Sequence, residues 1–256
     1  MKGWRIFVHS LRMVVDNIGT ALRVSLVLYL VQAASQIATY LHADDGGPDG
    51  PPAPVDGGPD ALPVPVIGLP ELALLVLAVL ASLWIAVAWH RFVLTGEEPR
   101  GWLPRWHGGE ILGYFGRSIL IGLVIFLGMM ISAIPVALIG AAVPGLAPVL
   151  VFGLVGLGGY LFFRLGLILP AAAVGEKLTL KQAWRATAED DGAVVTLAML
   201  VIGGSLLVEL PALIDDSAGS IVNLVYGLVI NWFATMIGIS VLTSLYGHFV
   251  EKRPID

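Results

Sequence analysis

Residues 111–140 read ILGYFGRSILIGLVIFLGMMISAIPVALIG, with one charge, Arg117, near the start. Residues 144–169 follow as PGLAPVLVFGLVGLGGYLFFRLGLIL, with one charge, Arg164, near the end. About 20 mostly apolar residues are enough for a helix to cross the hydrocarbon layer of a bilayer. Both stretches exceed that length, so each reads as a membrane-spanning helix. Working outward, four more stretches qualify: 18–41, 70–90, 193–213 and 221–249. Residues 111–140 and 221–249 are longer than a span needs, so they either tilt or lay an end in the interface.

The composition agrees. Of the 256 residues, 57% are apolar and 13% charged, against about 25% charged in a soluble domain. The mean hydropathy is +0.88. These values exclude a disordered chain, a basic nucleic-acid binder and an ordinary soluble enzyme. There is no cysteine, which excludes disulfides, iron–sulfur clusters and thiolate chemistry. The expected fold is an all-α polytopic membrane bundle, one domain over residues 1–256, with six transmembrane helices and amphipathic helices on the cytoplasmic side.

The loops carry the orientation. Six spans divide them into two sets. One set, with the N-terminus, residues 91–117, residues 164–191 and the C-terminus, holds all fourteen Lys and Arg of the chain. Translocation of such loops is disfavoured, so both termini are expected in the cytoplasm. The composition, rich in Ala, Gly, Val and Leu with a Pro-rich external loop, leads to the expectation of a bacterial cytoplasmic (inner) membrane. Ten acids share that side, leaving it at +4, while the other side stands at −9. Trp4, Trp89, Trp102, Trp106 and Trp184 are expected at the cytoplasmic interface, where an indole has both apolar and polar neighbours.

The flanking segments differ in kind. Residues 1–17 do not resemble a cleavable signal peptide. Trp4, Phe7, Leu11, Val14, Val15 and Ile18 recur at helical spacing, with Arg5, His9, Arg12 and Asp16 opposite, as in an interfacial amphipathic helix. A soluble helix packed on the loops is the alternative. Residues 44–67, DDGGPDGPPAPVDGGPDALPVPVI, carry five aspartates and no cation. They read as a flexible, acidic periplasmic linker. The chain also divides into three hairpins, each with an amphipathic lead-in (4–17, 105–117 and 179–190), although interfacial helix ends in general look alike.

Candidate chemistry is sparse. His9, His42, His90, His107 and His248 lack metal-site spacing, so no metal and no cofactor is expected. His90 and His248 end spans on the same side and are placed to approach each other. Glu209 is the one acid deep in an apolar run, and Asn223 begins the next span within reach of a hydrogen bond. Gln32, Ser35, Gln36 and Thr39 mark one face of the first span. Asn223, Asn231 and Thr235 mark one face of the sixth. Such faces bond helices together or line a narrow path. Gly153, Gly156, Gly158 and Gly159 permit close helix approach.

Residues 164–187, RLGLILPAAAVGEKLTLKQAWRAT, are the most distinctive segment. An arginine closes a span, a Pro-Ala follows, and a K-L-T-L-x-x-A-W-R-x-T helix comes next. Thr179 and Gln182 are spaced for a capping box, and Arg185 and Glu189 for an i,i+4 pair. Arg164, Lys181 and Arg185, anchored by Trp184, are candidates to meet lipid phosphates or another anion. The alternative is a connector that orients the fourth and fifth spans. The segment resembles bacterial six-span membrane proteins related to the membrane domain of glycerophosphoryl diester phosphodiesterases. That resemblance implies a role near lipids. It does not imply phosphodiesterase activity, which in fused members belongs to a separate barrel domain.

These features lead to a non-enzymatic inner-membrane scaffold, accessory subunit or lipid-organising protein. Its expected partners are phospholipids, and beyond them another membrane protein or a second copy, with no nucleic acid. A small transporter or channel using the polar faces of the first and sixth spans is the alternative. A membrane-embedded lipid enzyme comes third, for want of a catalytic cluster.

Overall fold

The computed structural model describes residues 2–45, 68–214 and 221–255, and in these no strand is present. The order is α1 (Lys2–Asp16), α2 (Ile18–Asp45), α3 (Leu69–Thr95), α4 (Gly108–Ala142), α5 (Ala147–Leu165), α6 (Ile168–Ala173), α7 (Leu180–Thr187), α8 (Asp191–Ile214) and α9 (Ile221–Phe249). Five helical stretches among the described residues are long and apolar enough to cross a membrane, or six where α1 with α2, bent by 79°, is counted as one broken span. The bend falls at Asn17, whose side chain donates to the Met13 carbonyl (2.9 Å) while its own carbonyl accepts from Ala21 (2.8 Å). The acidic linker lies outside the described residues except Asp44 and Asp45, which end α2.

Helix α1 divides its surface three ways. Gly3, Ile6, Ser10 and Val14 are buried. Ile6 belongs to the main core, and Ser10 Oγ donates to Ser244 Oγ on α9 at 2.9 Å. The start of α1 lies close on α8, since a Cβ at Gly3 would stand 2.6 Å from the Ala193 carbonyl oxygen. Trp4, Leu11 and Val15 form an exposed apolar stripe. Arg5 and Arg12, also exposed, occupy the third sector. An apolar stripe beside a cationic one, on a helix lying nearly across the next, suits the membrane–water boundary.

Helices α2–α3 and α4–α5 are antiparallel hairpins packed along their length. Helices α8 and α9 diverge, with α1 packed against both. The lead-in expected over residues 105–117 is not a helix of its own. Residues 101–107 are irregular, and α4 runs unbroken for 35 residues from Gly108. At 1.5 Å per residue α4 is about 52 Å long, well over a hydrocarbon layer of about 30 Å. No part of it is laid flat as a separate segment.

Burial concentrates at the end of the bundle that carries the cations. All six residues of α6 are buried there, among α3, α4 and α9. The chain reaches α6 through Gly166, where a Cβ would lie 2.8 Å from a methyl group of Leu242 and 2.6 Å from the Phe162 carbonyl oxygen. Toward the other end, Ile131, Ile134 and Leu138 of α4 and Val149 and Val151 of α5 are exposed. Soluble monomers rarely expose continuous apolar surface beyond a few hundred Å², so lipid is the natural solvent of this surface. The protein is a multi-pass, all-α membrane bundle.

Candidate functional site

The segment that follows α5 builds a polar centre around Arg164. Thr179 Oγ1 accepts from the Gln182 amide (3.3 Å), and Gln182 Oε1 accepts from the Thr179 amide (2.9 Å). This reciprocal cap starts α7 and fixes its direction. It brings Trp184 over the Arg164 guanidinium, 4.4 Å from the ring centre, with the Tyr160 ring at 5.2 Å. Arg164 Nε donates to Tyr160 Oη at 2.9 Å. Its Nη1 donates to the Trp184 carbonyl and to Thr187 Oγ1, each at 3.2 Å. Its Nη2 pairs with Asp191 Oδ1 at 2.5 Å, and the Tyr160 hydroxyl donates to the same oxygen at 3.2 Å.

Arg164 is therefore turned inward. It is buried, with protein partners on each of its three nitrogens, and it ties α5 to α7 and the start of α8. That is the connector arrangement. Lys181, Trp184 and Arg185 are exposed on α7. Glu189, four residues after Arg185, pairs with Lys252 at 2.8 Å instead.

Other arginines at this end cap helix carbonyls in the same way. Arg91 donates to the Ala173 carbonyl (3.2 Å) and pairs with Glu97 (2.7 Å). Arg117 donates to the Ile168 and Glu176 carbonyls (3.4 and 3.1 Å). Arg253 donates to Val93 and Leu94 (3.4 and 2.9 Å) at the end of α3. Arg91 and Arg253 sit at helix C-termini, where a cation meets the negative end of the helix dipole and open carbonyls gain donors, whereas Arg117 bonds the first residue of α6 and the turn that follows that helix. Lys2 pairs with Asp190 at 3.1 Å. Six of the fourteen cations are thus engaged. The other eight, Arg5, Arg12, Arg23, Arg100, Arg105, Lys177, Lys181 and Arg185, are exposed, and no side-chain hydrogen bond or ion pair within the described residues holds them.

The polar faces of the first and sixth spans meet. Asn231 Nδ2 donates to Gln36 Oε1 (3.3 Å), Gln32 Nε2 donates to Ser82 Oγ on α3 (2.8 Å), and Tyr29 Oη donates to the Leu228 carbonyl (2.6 Å). These contacts bond α2 to α3 and α9. Asn231 also edges a groove of about 340 Å³ between α8 and α9. The Glu209 side chain lies outside the described residues, and with it the expected Glu209–Asn223 contact.

Two expectations change. Trp89 is fully buried and donates to Ser240 Oγ at 2.8 Å, so it locks α3 to α9 rather than marking the interface. His90 and His248 do not form a joint site. His90 Nδ1 contacts Thr243 Oγ1 at 2.8 Å, and its Nε2 stands 3.5 Å from the Tyr114 hydroxyl. His248 instead meets the Arg253 carbonyl at 3.3 Å. No group of three potential metal ligands occurs among the described residues. The buried His90–Thr243–Tyr114 set was not evident from spacing, because its members lie on three different helices.

No protein-family model, curated protein or solved structure matches this chain.

Proposed function

We propose that this chain is a non-enzymatic inner-membrane protein, both termini cytoplasmic, that organises anionic phospholipid at its basic end as a scaffold or accessory subunit. The observation that carries this reading is the division among the cations. Those that hold backbone carbonyls or acids are used up within the protein, and eight others are exposed with no acid partner among the described residues. Each such cation near an anionic leaflet contributes about 1 kcal/mol of attraction. The α1 surface, with Trp4, Leu11 and Val15 beside Arg5 and Arg12, supports placing that end at the interface. The positive-inside rule supports the orientation. Membership of the six-span family that residues 164–187 resemble belongs to the same proposal.

The test is native mass spectrometry of the full chain with phosphatidylglycerol or phosphatidylcholine. The variant K181Q/R185Q should retain less phosphatidylglycerol while its helix content and melting stay close to wild type. Unchanged retention would reject the reading.

A transport path is the second reading, favoured by the groove between α8 and α9. Against an ion path, the groove is lined by Val201, Phe233 and Ile237 among others, with no charged side chain among the described residues. Uptake of small solutes into proteoliposomes would favour it over the lipid role.

A further inference from the structure

A second groove, of about 530 Å³, runs between α5 and α8. Its volume is in the range of about 300–1,000 Å³ typical of ligand sites. Gly153 and Gly156 line the α5 side and Val195 and Met199 the α8 side, while Tyr160 and Asp191 stand at one end. From Gly153 to Tyr160 is two helical turns, about 10 Å along α5. The trough is therefore apolar at membrane depth and opens on hydrogen-bonding groups at the basic end.

The four glycines of α5 do not share one role. A Cβ at Gly158 would touch Met129 Sδ at 3.5 Å, and one at Gly159 would lie 3.3 Å from Ile202 Cδ1. These two face close neighbours on other helices. A Cβ at Gly153 or Gly156 would meet nothing within 4 Å. Those two leave space along the groove that larger residues would fill.

The charge at the mouth has a sign. Arg164 and Asp191 neutralise each other. Trp184, whose ring lies 6.2 Å from that of Tyr160, brings α7 to the mouth, with the exposed Lys181 and Arg185 on either side of it in sequence. The neighbouring acids are taken, Glu189 by Lys252 and Asp190 by Lys2. An apolar trough whose polar end, at Tyr160 and Asp191, lies beside the helix that carries two exposed cations complements one kind of molecule, an amphiphile with an acyl chain and an anionic head.

We propose that the α5–α8 groove holds one acyl chain of an anionic phospholipid, with its phosphate at Lys181 and Arg185. This rests on the reading that the basic end meets anionic lipid and adds a single defined site to it.

The full chain in detergent is titrated with phosphatidylglycerol and with phosphatidylcholine of the same acyl chains and followed by native mass spectrometry. Wild type should hold one phosphatidylglycerol about tenfold more tightly than further copies, about 1.4 kcal/mol. Gly156→Leu fills the trough and should abolish that preference, as should Gly153→Leu, which serves if the first variant folds poorly. Gly122→Leu, at an equally open glycine on α4 away from the groove, should leave it intact. Wild-type retention by both groove variants overturns the site, as does an equal loss in the Gly122→Leu control. If K181Q/R185Q sheds lipid while the groove variants do not, the groove fails and the basic surface stands. If K181Q/R185Q also retains its lipid, both fail. Equal binding of phosphatidylcholine by wild type overturns the assignment of the head.

Discussion

Removing either partner of the Arg164–Asp191 pair should have unequal effects, because the two are unequally buried. The Arg164 side chain is 4% exposed and that of Asp191 59%. Arg164→Met leaves an acid already largely in water, which rehydrates at little cost. What is lost is three hydrogen bonds from a charged donor, to the Tyr160 hydroxyl, the Trp184 carbonyl and Thr187 Oγ1, each contributing about 1.5–3 kcal/mol. Methionine recovers part of the stacking volume under Trp184, so the net cost is about 4 kcal/mol or more on that hydrogen-bond scale. Asp191→Asn leaves a buried guanidinium with no counter-charge, a situation that costs about 3–5 kcal/mol in buried pairs. The asparagine oxygen keeps a hydrogen bond, which places the expected cost near the lower end. Thermal unfolding of the purified chain, followed by loss of the monodisperse peak on size exclusion, measures both. Arg164→Met should melt below Asp191→Asn. The double variant should match Arg164→Met alone, because neutralising an exposed acid costs little once the cation is gone. A more damaging Asp191→Asn, or additive losses, would refute this ordering.

Gly166→Ala should destabilise by about 1–3 kcal/mol as an overpacking change, since its methyl group meets both Leu242 and the Phe162 carbonyl; a melting temperature equal to wild type would contradict the tight turn into α6. Shortening residues 46–67 should leave insertion and melting unchanged, because that stretch has too few large apolar side chains to pack; loss of folded protein would show that it docks. A cysteine at Gly101, in a chain with no native cysteine, should resist membrane-impermeant thiol reagents in intact cells and react in inverted vesicles; external labelling would reverse the orientation.

Much of the architecture can be read from residue pattern, because lipid imposes long apolar runs and the loop cations sort by side. The Thr179–Gln182 cap was also legible, since it depends on a local spacing of three residues. Other features depend on contacts between distant parts of the chain. Arg164 reads as a surface cation until Asp191 and the Trp184 carbonyl are placed beside it. Trp89 reads as an interfacial anchor until α9 presents Ser240. The packing of α1 against both α8 and α9 joins residues 190 apart in sequence at Gly3 and Ala193 and 234 apart at Ser10 and Ser244. The glycines of α5 look equivalent in sequence, and only their neighbours separate the two that meet other helices from the two that line a groove.

The lipid role is tested most directly by the selectivity of the wild-type protein for spin-labelled phosphatidylglycerol over phosphatidylcholine in reconstituted bilayers, at low and at high salt. Eight exposed cations without acid partners should give a clear preference for phosphatidylglycerol at about 0.1 M salt, where the screening length is about 10 Å, and a much weaker one at about 1 M, where it is about 3 Å. Equal association of the two lipids at low salt would contradict it.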